Sequence, residues 1–157
     1  MKTMTRIAGT PKIRKKIMSE DNKQTLRDAI NNVESGYEFM LAYAAQGRDV
    51  EHTGGGGGLS IREYLKRIQV GLSSIADDFD AVILSDVSEN AEFYTNYVSV
   101  LRDDAKKAKM GIDMVMSLPS IGSQVVDNLN ANIHVRAVLT DVFLLDEALT
   151  SLSRSAQ

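Results

Sequence analysis

The sequence predicts an all-α protein: a single four-helix bundle of long amphipathic helices. A flexible glycine-rich connector joins its first two helices, and a basic, irregular N-terminal arm precedes them. Three observations carry this expectation. Four segments place apolar residues three and four apart, the spacing that lines side chains along one helical stripe. No segment alternates apolar and polar residues with the period of two that a half-buried strand needs. Two prolines in 157 residues leave room for long uninterrupted helices. A helix with one apolar stripe cannot bury it alone, but four such helices can bury theirs against one another.

Residues 1–18 read as the arm. Gly9-Thr10-Pro11 interrupts any helix, and Arg14-Lys15-Lys16 follows it. Two readings stand: a solvated tail, or an electrostatic arm in which Lys12, Arg14, Lys15 and Lys16 meet phosphate or another anionic surface. Met18-Ser19-Glu20-Asp21 resembles an ordinary protein start, which leaves open whether residues 1–17 belong to the native product. The bundle is expected over residues 19–157.

The first helix is expected from about Asn22 to Gln46. Asp21 with Gln24 reads as a capping box, and Leu26, Ile30, Val33, Tyr37, Met40 and Ala44 form the stripe. Gly36 inside it costs roughly 1 kcal/mol relative to alanine and points to close packing of a neighbour. Gly47 supplies the stop. Residues 47–59, with five successive glycines at 54–58, read as a connector long enough to join helices that are parallel or not adjacent. They lack the Gly-Lys-Ser/Thr ending of a phosphate-binding loop.

The second helix has the clearest start. Ser60-Ile-Arg-Glu63 is a capping box, and Leu59 and Tyr64 are placed for a hydrophobic staple. Its stripe is Ile61, Leu65, Ile68, Leu72, Ile75, Phe79 and Val82, and it fades near Ile83-Leu84. The third helix follows a short turn, with Asp86 or Ser88 as cap. Tyr94, Val98, Leu101, Ala105, Ala108, Ile112 and Val115 form its stripe, and it ends by Leu118 because Pro119 cannot continue it. The fourth helix is expected over about Ser123 to Ser153. Its C-terminal half carries Val135, Val138, Val142, Leu145, Leu149 and Leu152 in register, whereas Val126, Leu129 and Ile133 lie on an offset stripe. The helix therefore drifts or changes neighbours midway.

Composition bounds the chemistry. An apolar fraction of 43% and a charged fraction of 25% are those of a globular domain. The absence of cysteine excludes disulfides, thiolate metal sites and a cysteine nucleophile. No apolar run reaches the roughly 18 to 20 residues of a membrane span, and no h-region follows the N-terminal basic residues, so a cytoplasmic protein with no membrane association is expected. The net charge of −3 conceals an asymmetry: residues 1–16 hold six basic residues and no acid, on an acidic body.

Catalytic patterns are weak. Di-iron bundles need paired Glu-x-x-His motifs, and the only histidines, His52 and His134, belong to none. His134 reads as a surface or boundary residue. The carboxylate pairs Glu34/Glu38, Asp77/Asp78, Asp103/Asp104 and Asp146/Glu147 read as solvated faces. No Gly-x-Ser-x-Gly elbow occurs. No catalytic residue, cofactor, metal ligand or small-molecule substrate is expected.

What stands out is apolar residues beyond the stripes. Phe93, Tyr97, Met110 and Met114 on the third helix, and Leu139, Phe143 and Leu144 on the fourth, form a second apolar set. A surface helix needs one stripe. A second means a broad core or a protein interface, where aromatics and methionine are enriched. The leading expectation is a non-enzymatic interaction protein (an oligomeric subunit, adaptor or assembly component) that self-associates or binds a protein partner. The alternatives are a nucleic-acid-associated structural subunit using the basic arm, and a ligand- or metal-dependent bundle enzyme using Glu34, Glu38 and acids of the second helix.

Overall fold

The computed structural model describes the backbone of residues 11–51 and 58–155, and side chains from Ser19 onward within those ranges. Among the described residues there are five α-helices and no strand: α1 (Pro11–Ala44), α2 (Ile61–Asp86), α3 (Ala91–Met116), α4 (Ser123–Ala131) and α5 (Ile133–Ser155). No helix is long and apolar enough to cross a membrane, among the described residues.

The helix starts differ from expectation at α1. Helix begins at Pro11, so residues 11–18 are helical and not an irregular arm. Proline suits that first position, because its missing N–H would have no intrahelical acceptor there and its fixed φ is already helical. Asp21 and Gln24 consequently lie inside the helix and form no cap. The Asp21 carbonyl accepts from Thr25 Oγ1 at 3.0 Å, and Gln24 Nε2 donates to Asp28 at 2.8 Å. At α2 the Ser60–Glu63 capping box forms as its residues dictate: Ser60 Oγ accepts from the Glu63 amide and the Glu63 carboxylate accepts from the Ser60 amide. The cap of α3 is neither Asp86 nor Ser88 but Asn90, which adopts a left-handed conformation (φ 55°). Asparagine tolerates that region better than most residues.

α1 and α2 run antiparallel. Asp86 at the end of α2 accepts from Ser19 and Lys23 near the start of α1, while Phe39 stacks on Tyr64 at the opposite end, with ring centroids 3.9 Å apart. The connector therefore joins adjacent antiparallel helices, not the parallel or distant pair its length allowed. Two glycines let α1 and α2 approach. A Cβ at Gly71 would stand 2.8 Å from the Ala29 carbonyl oxygen, and one at Gly36 would stand 2.2 Å from Ile68 Cγ1. The seven-position stripe of α2 is buried throughout. Arg102 of α3 pairs with Asp77 and Asp80 of α2, and Gln69 Nε2 donates to Asp113 at 2.6 Å, so α3 returns alongside α2.

The expected fourth helix is two. It breaks at Asn132, whose ψ of 125° is extended and whose Oδ1 accepts from the His134 and Val135 amides at 2.9 and 3.3 Å. That side chain caps α5 as an N-cap asparagine does. α4 packs on the C-terminal half of α1, where Asn130 Nδ2 donates to the Met40 carbonyl at 3.2 Å. α5 packs along α3 and barely meets α1. The offset between the two apolar stripes is resolved by giving each its own helix.

The loops above α1 and α3 are tied together. Ser123 and Arg48 exchange two bonds of 2.8 Å, the Tyr43 hydroxyl donates to the buried Ile121 carbonyl at 2.6 Å, and the Ser120 hydroxyl accepts from the Glu51 amide at 2.9 Å. Residues 47–51, expected as part of the flexible connector, are thus held against residues 120–123. The middle of that connector, 52–57, lies outside the described residues. Arg62 of α2 completes the junction: it donates to the Met116 and Leu118 carbonyls at 2.8 and 2.7 Å, closing the C-terminus of α3, and pairs with Glu51.

Candidate functional site

The second apolar set does not gather into one surface. Leu139 is 9% exposed and belongs to the core, which corrects its assignment to an interface. It lies four residues from both Val135 and Phe143, and the drift of α5 toward α3 turns it inward with the former. Phe143 is 54% exposed and does not line the groove. Met110 and Met114 are exposed on the outer face of α3. At 1.5 Å per residue they stand roughly 25 to 32 Å along the axis from Phe93.

Phe93, Tyr97 and Leu144 do converge. With Asn90, Tyr94, Leu145 and Ala148 they line an open groove of about 330 Å³ where α3 and α5 run side by side. Leu145 is buried, so it forms the floor. Phe93 and Leu144 form the rims, 67% and 56% exposed. Val100, also exposed, was missed by the sequence reading; it sits seven residues from Phe93, two helical turns along the same face.

Beside the groove lies a line of polar groups across the same seam. The Tyr97 hydroxyl, from α3, donates to Asp141 Oδ1 on α5 at 2.8 Å. Asp141 is only 6% exposed, and its Oδ2 is buried with no hydrogen-bond donor. Farther along the same seam, His134 Nδ1 of α5 lies 3.3 Å from Asp104 Oδ1 of α3. Burial pushes the Asp141 carboxyl above the usual range; the Tyr97 bond opposes this, and the neighbouring Asp104 charge adds to it. Tyr97 is raised in turn, chiefly by its bond to Asp141. The sequence reading passed over Asp141, since one acid on a striped helix gives no sign that it will face inward.

A second groove, of about 440 Å³, opens where α5 leaves α1. Leu26 and Ile30 of α1 face Leu149 and Leu152 of α5 across it, above Val82. Glu34 sits on this seam, and its carboxyl is raised first by burial and then by Asp146 and Glu38. Among the described residues no three His, Asp or Glu side chains are gathered so as to hold a metal ion. Lys12, Arg14, Lys15 and Lys16 lie in the first two turns of α1, outside the residues whose side chains are described. No protein-family model matches the chain, and neither does any curated protein or solved structure.

Proposed function

We propose that this chain is a non-enzymatic helical-bundle interaction protein, an oligomeric subunit, adaptor or assembly component, that meets its protein partner along the α3/α5 groove. Its four legs are α1, α2, α3 and the broken α4–α5 pair. One observation carries the reading: two large apolar side chains, Phe93 and Leu144, stand more than half exposed on either rim of a groove with an apolar floor. Isolated exposed apolar residues are ordinary, but a groove rimmed and floored by them is the form that a recognition surface takes.

The test is association measured by analytical ultracentrifugation and by crosslinking in a cell extract, comparing the wild-type chain with Phe93→Glu and Leu144→Glu. Both side chains are exposed, so thermal unfolding is expected to stay within a few degrees of wild type while association is lost. A chain that is monomeric and captures nothing at every concentration tested overturns the reading. So does a complex that survives both substitutions.

The basic run Lys12, Arg14, Lys15 and Lys16 supports a second reading, a nucleic-acid-associated structural subunit. Its test is salt-sensitive retention on DNA or RNA that is lost when residues 1–17 are removed.

A further inference from the structure

α5 leaves one long side uncovered. It packs on α3 and barely meets α1, so most of its outer side faces no other helix. Along that side exposed residues recur three and four apart: Ile133, Arg136, Thr140, Phe143, Leu144 and Glu147. The three apolar ones are large, and each is more than half exposed. The two charged ones are scarcely committed within the chain. No ion pair among the described residues includes Arg136, and Glu147 has only Arg154, 3.8 Å away with both side chains exposed. Asp146 is exposed as well, but it lines the α1/α5 groove on the other side of the helix.

The order of these groups makes the face complementary to itself. Ile133 and Leu144 are eleven residues apart, and so are Arg136 and Glu147. Eleven residues are about three turns, so the members of each pair point the same way but stand roughly 16 Å apart along the axis. Neither pair can meet within one helix. Turn a second α5 end for end about an axis through Thr140, and both pairs close at once. Ile133 then lies against Leu144 of the other copy, and Arg136 against its Glu147, each within about one helical turn. The twofold makes every contact twice, as an interface between identical patches does.

We propose that this chain forms a twofold dimer in which α5 packs antiparallel on α5 of a second copy, centred on Thr140. The dimer rests on the groove reading above and names its partner: Leu144 is one rim of that groove, and Phe93 beside it borders the contact. Charge favours a second copy over an unrelated apolar helix. Such a helix leaves Arg136 and Glu147 unmatched, whereas the reversed copy offers each of them the opposite charge. Thr140 brings no unpaired donor to the axis, because its hydroxyl bonds back to the Arg136 and Ala137 carbonyls of its own helix at 3.0 and 2.9 Å.

Analytical ultracentrifugation of two charge variants at low salt tests it. Arg136→Glu sets two acids against two in the dimer, and Glu147→Lys sets two cations against two, so each variant alone should dimerise at least about tenfold more weakly than wild type. Mixed together, the two variants restore both pairs and should associate as wild type does. Loss of a fold or of an intrahelical contact cannot be mended by mixing. Because the chain has no cysteine, Thr140→Cys adds a single thiol. A short thiol-specific crosslinker should couple two such chains, and should couple none carrying Ser73→Cys on the exposed side of α2. A wild-type chain that stays monomeric at every concentration overturns the dimer, as does a dimer that neither charge variant weakens. If that monomer still captures another protein and loses it with Phe93→Glu, the twofold fails and the groove reading stands. If it captures nothing, both fail.

Discussion

Gly71→Ala and Gly111→Ala should move stability in opposite directions. Both positions lie inside helices, at α2 and α3, so each substitution gains the same intrinsic term, about 0.8–1 kcal/mol of helix propensity. What opposes that gain differs. A Cβ at Gly111 would meet only Asn132 Nδ2 and Leu129 Cδ1, both at 3.8 Å, an ordinary contact. A Cβ at Gly71 would stand 2.8 Å from the Ala29 carbonyl oxygen and 2.8 Å from Val33 Cγ2. The valine methyl can turn aside, but the carbonyl belongs to the backbone of α1, so the helices must part. Overpacking of that kind costs about 1–3 kcal/mol, and parting the helices also loosens the stack of apolar residues on either side. Gly71→Ala is expected to lose about 1–2 kcal/mol net, and Gly111→Ala to gain about 0.5–1 kcal/mol. Urea unfolding followed by circular dichroism measures both. Val33→Ala in the Gly71→Ala chain should restore none of the loss, because it leaves the carbonyl contact in place. If Gly71→Ala proves as stable as wild type, or if the two glycines respond alike, the close α1/α2 approach described above is wrong.

Substitutions at Arg62 and Asp86 test the junction and the base of the fold. Arg62→Met keeps the aliphatic stem but strips the donors from the Met116 and Leu118 carbonyls, and half-buried carbonyls left unpaired should cost about 2–3 kcal/mol in urea unfolding. Arg62→Lys, with a single point of donation, should recover less than half of that loss. At Asp86, burial alone would raise the carboxyl, but the bonds donated by Lys23, Ser19 and Ser85 outweigh it and hold it below the usual range. A depressed carboxyl contributes stability above the ordinary Asp range and loses it as pH falls through the folded value, the opposite sense to Asp141. Thermal scans from pH 7 to pH 2 should therefore show Asp86→Asn costing stability at neutrality and converging on wild type in strong acid.

Much of the fold was legible because each stripe obeyed one period. The second helix shows this most plainly, from its cap at Ser60 to Val82. Legibility failed where a residue's environment depends on a partner that the local pattern does not name. Leu139 and Phe143 are both apolar and one turn apart, yet one is core and the other exposed, because the position of α1 and α3 around α5 decides it. Asp141 reads like any acid on a striped helix until Tyr97 is placed opposite. Asp21 and Gln24 carry the lettering of a cap, but nothing near them stops the helix that starts at Pro11. Residues 47–51 look like linker, and their order comes from Ser120 and Ser123, some seventy residues away. Of the candidate surface, Phe93, Tyr97 and Leu144 were recoverable from composition and position alone, whereas the groove they share was not.

The break at Asn132 links these features. From Leu129 to Val135 is six residues, which on one continuous helix is a rotation of about 240°. A straight helix that kept Val126 and Leu129 in the core would carry Ile133 and then Arg136 inward, and would turn Val135 and Val138 out. The observed burial is the reverse: Ile133 is 73% exposed, Arg136 is exposed, and Val135 and Val138 are buried. Interrupting the helix costs backbone hydrogen bonds, and Asn132 offsets part of that by capping the next helix with its own side chain. Freed from α4, α5 swings onto α3 and away from α1. That swing brings Asp141 to Tyr97 and lays Leu144 beside Phe93. It also parts α5 from α1, opening the groove between Leu26 and Leu149. The Tyr97–Asp141 bond and the candidate docking groove therefore share one origin, and any change that straightens the helix at residue 132 should disturb both together.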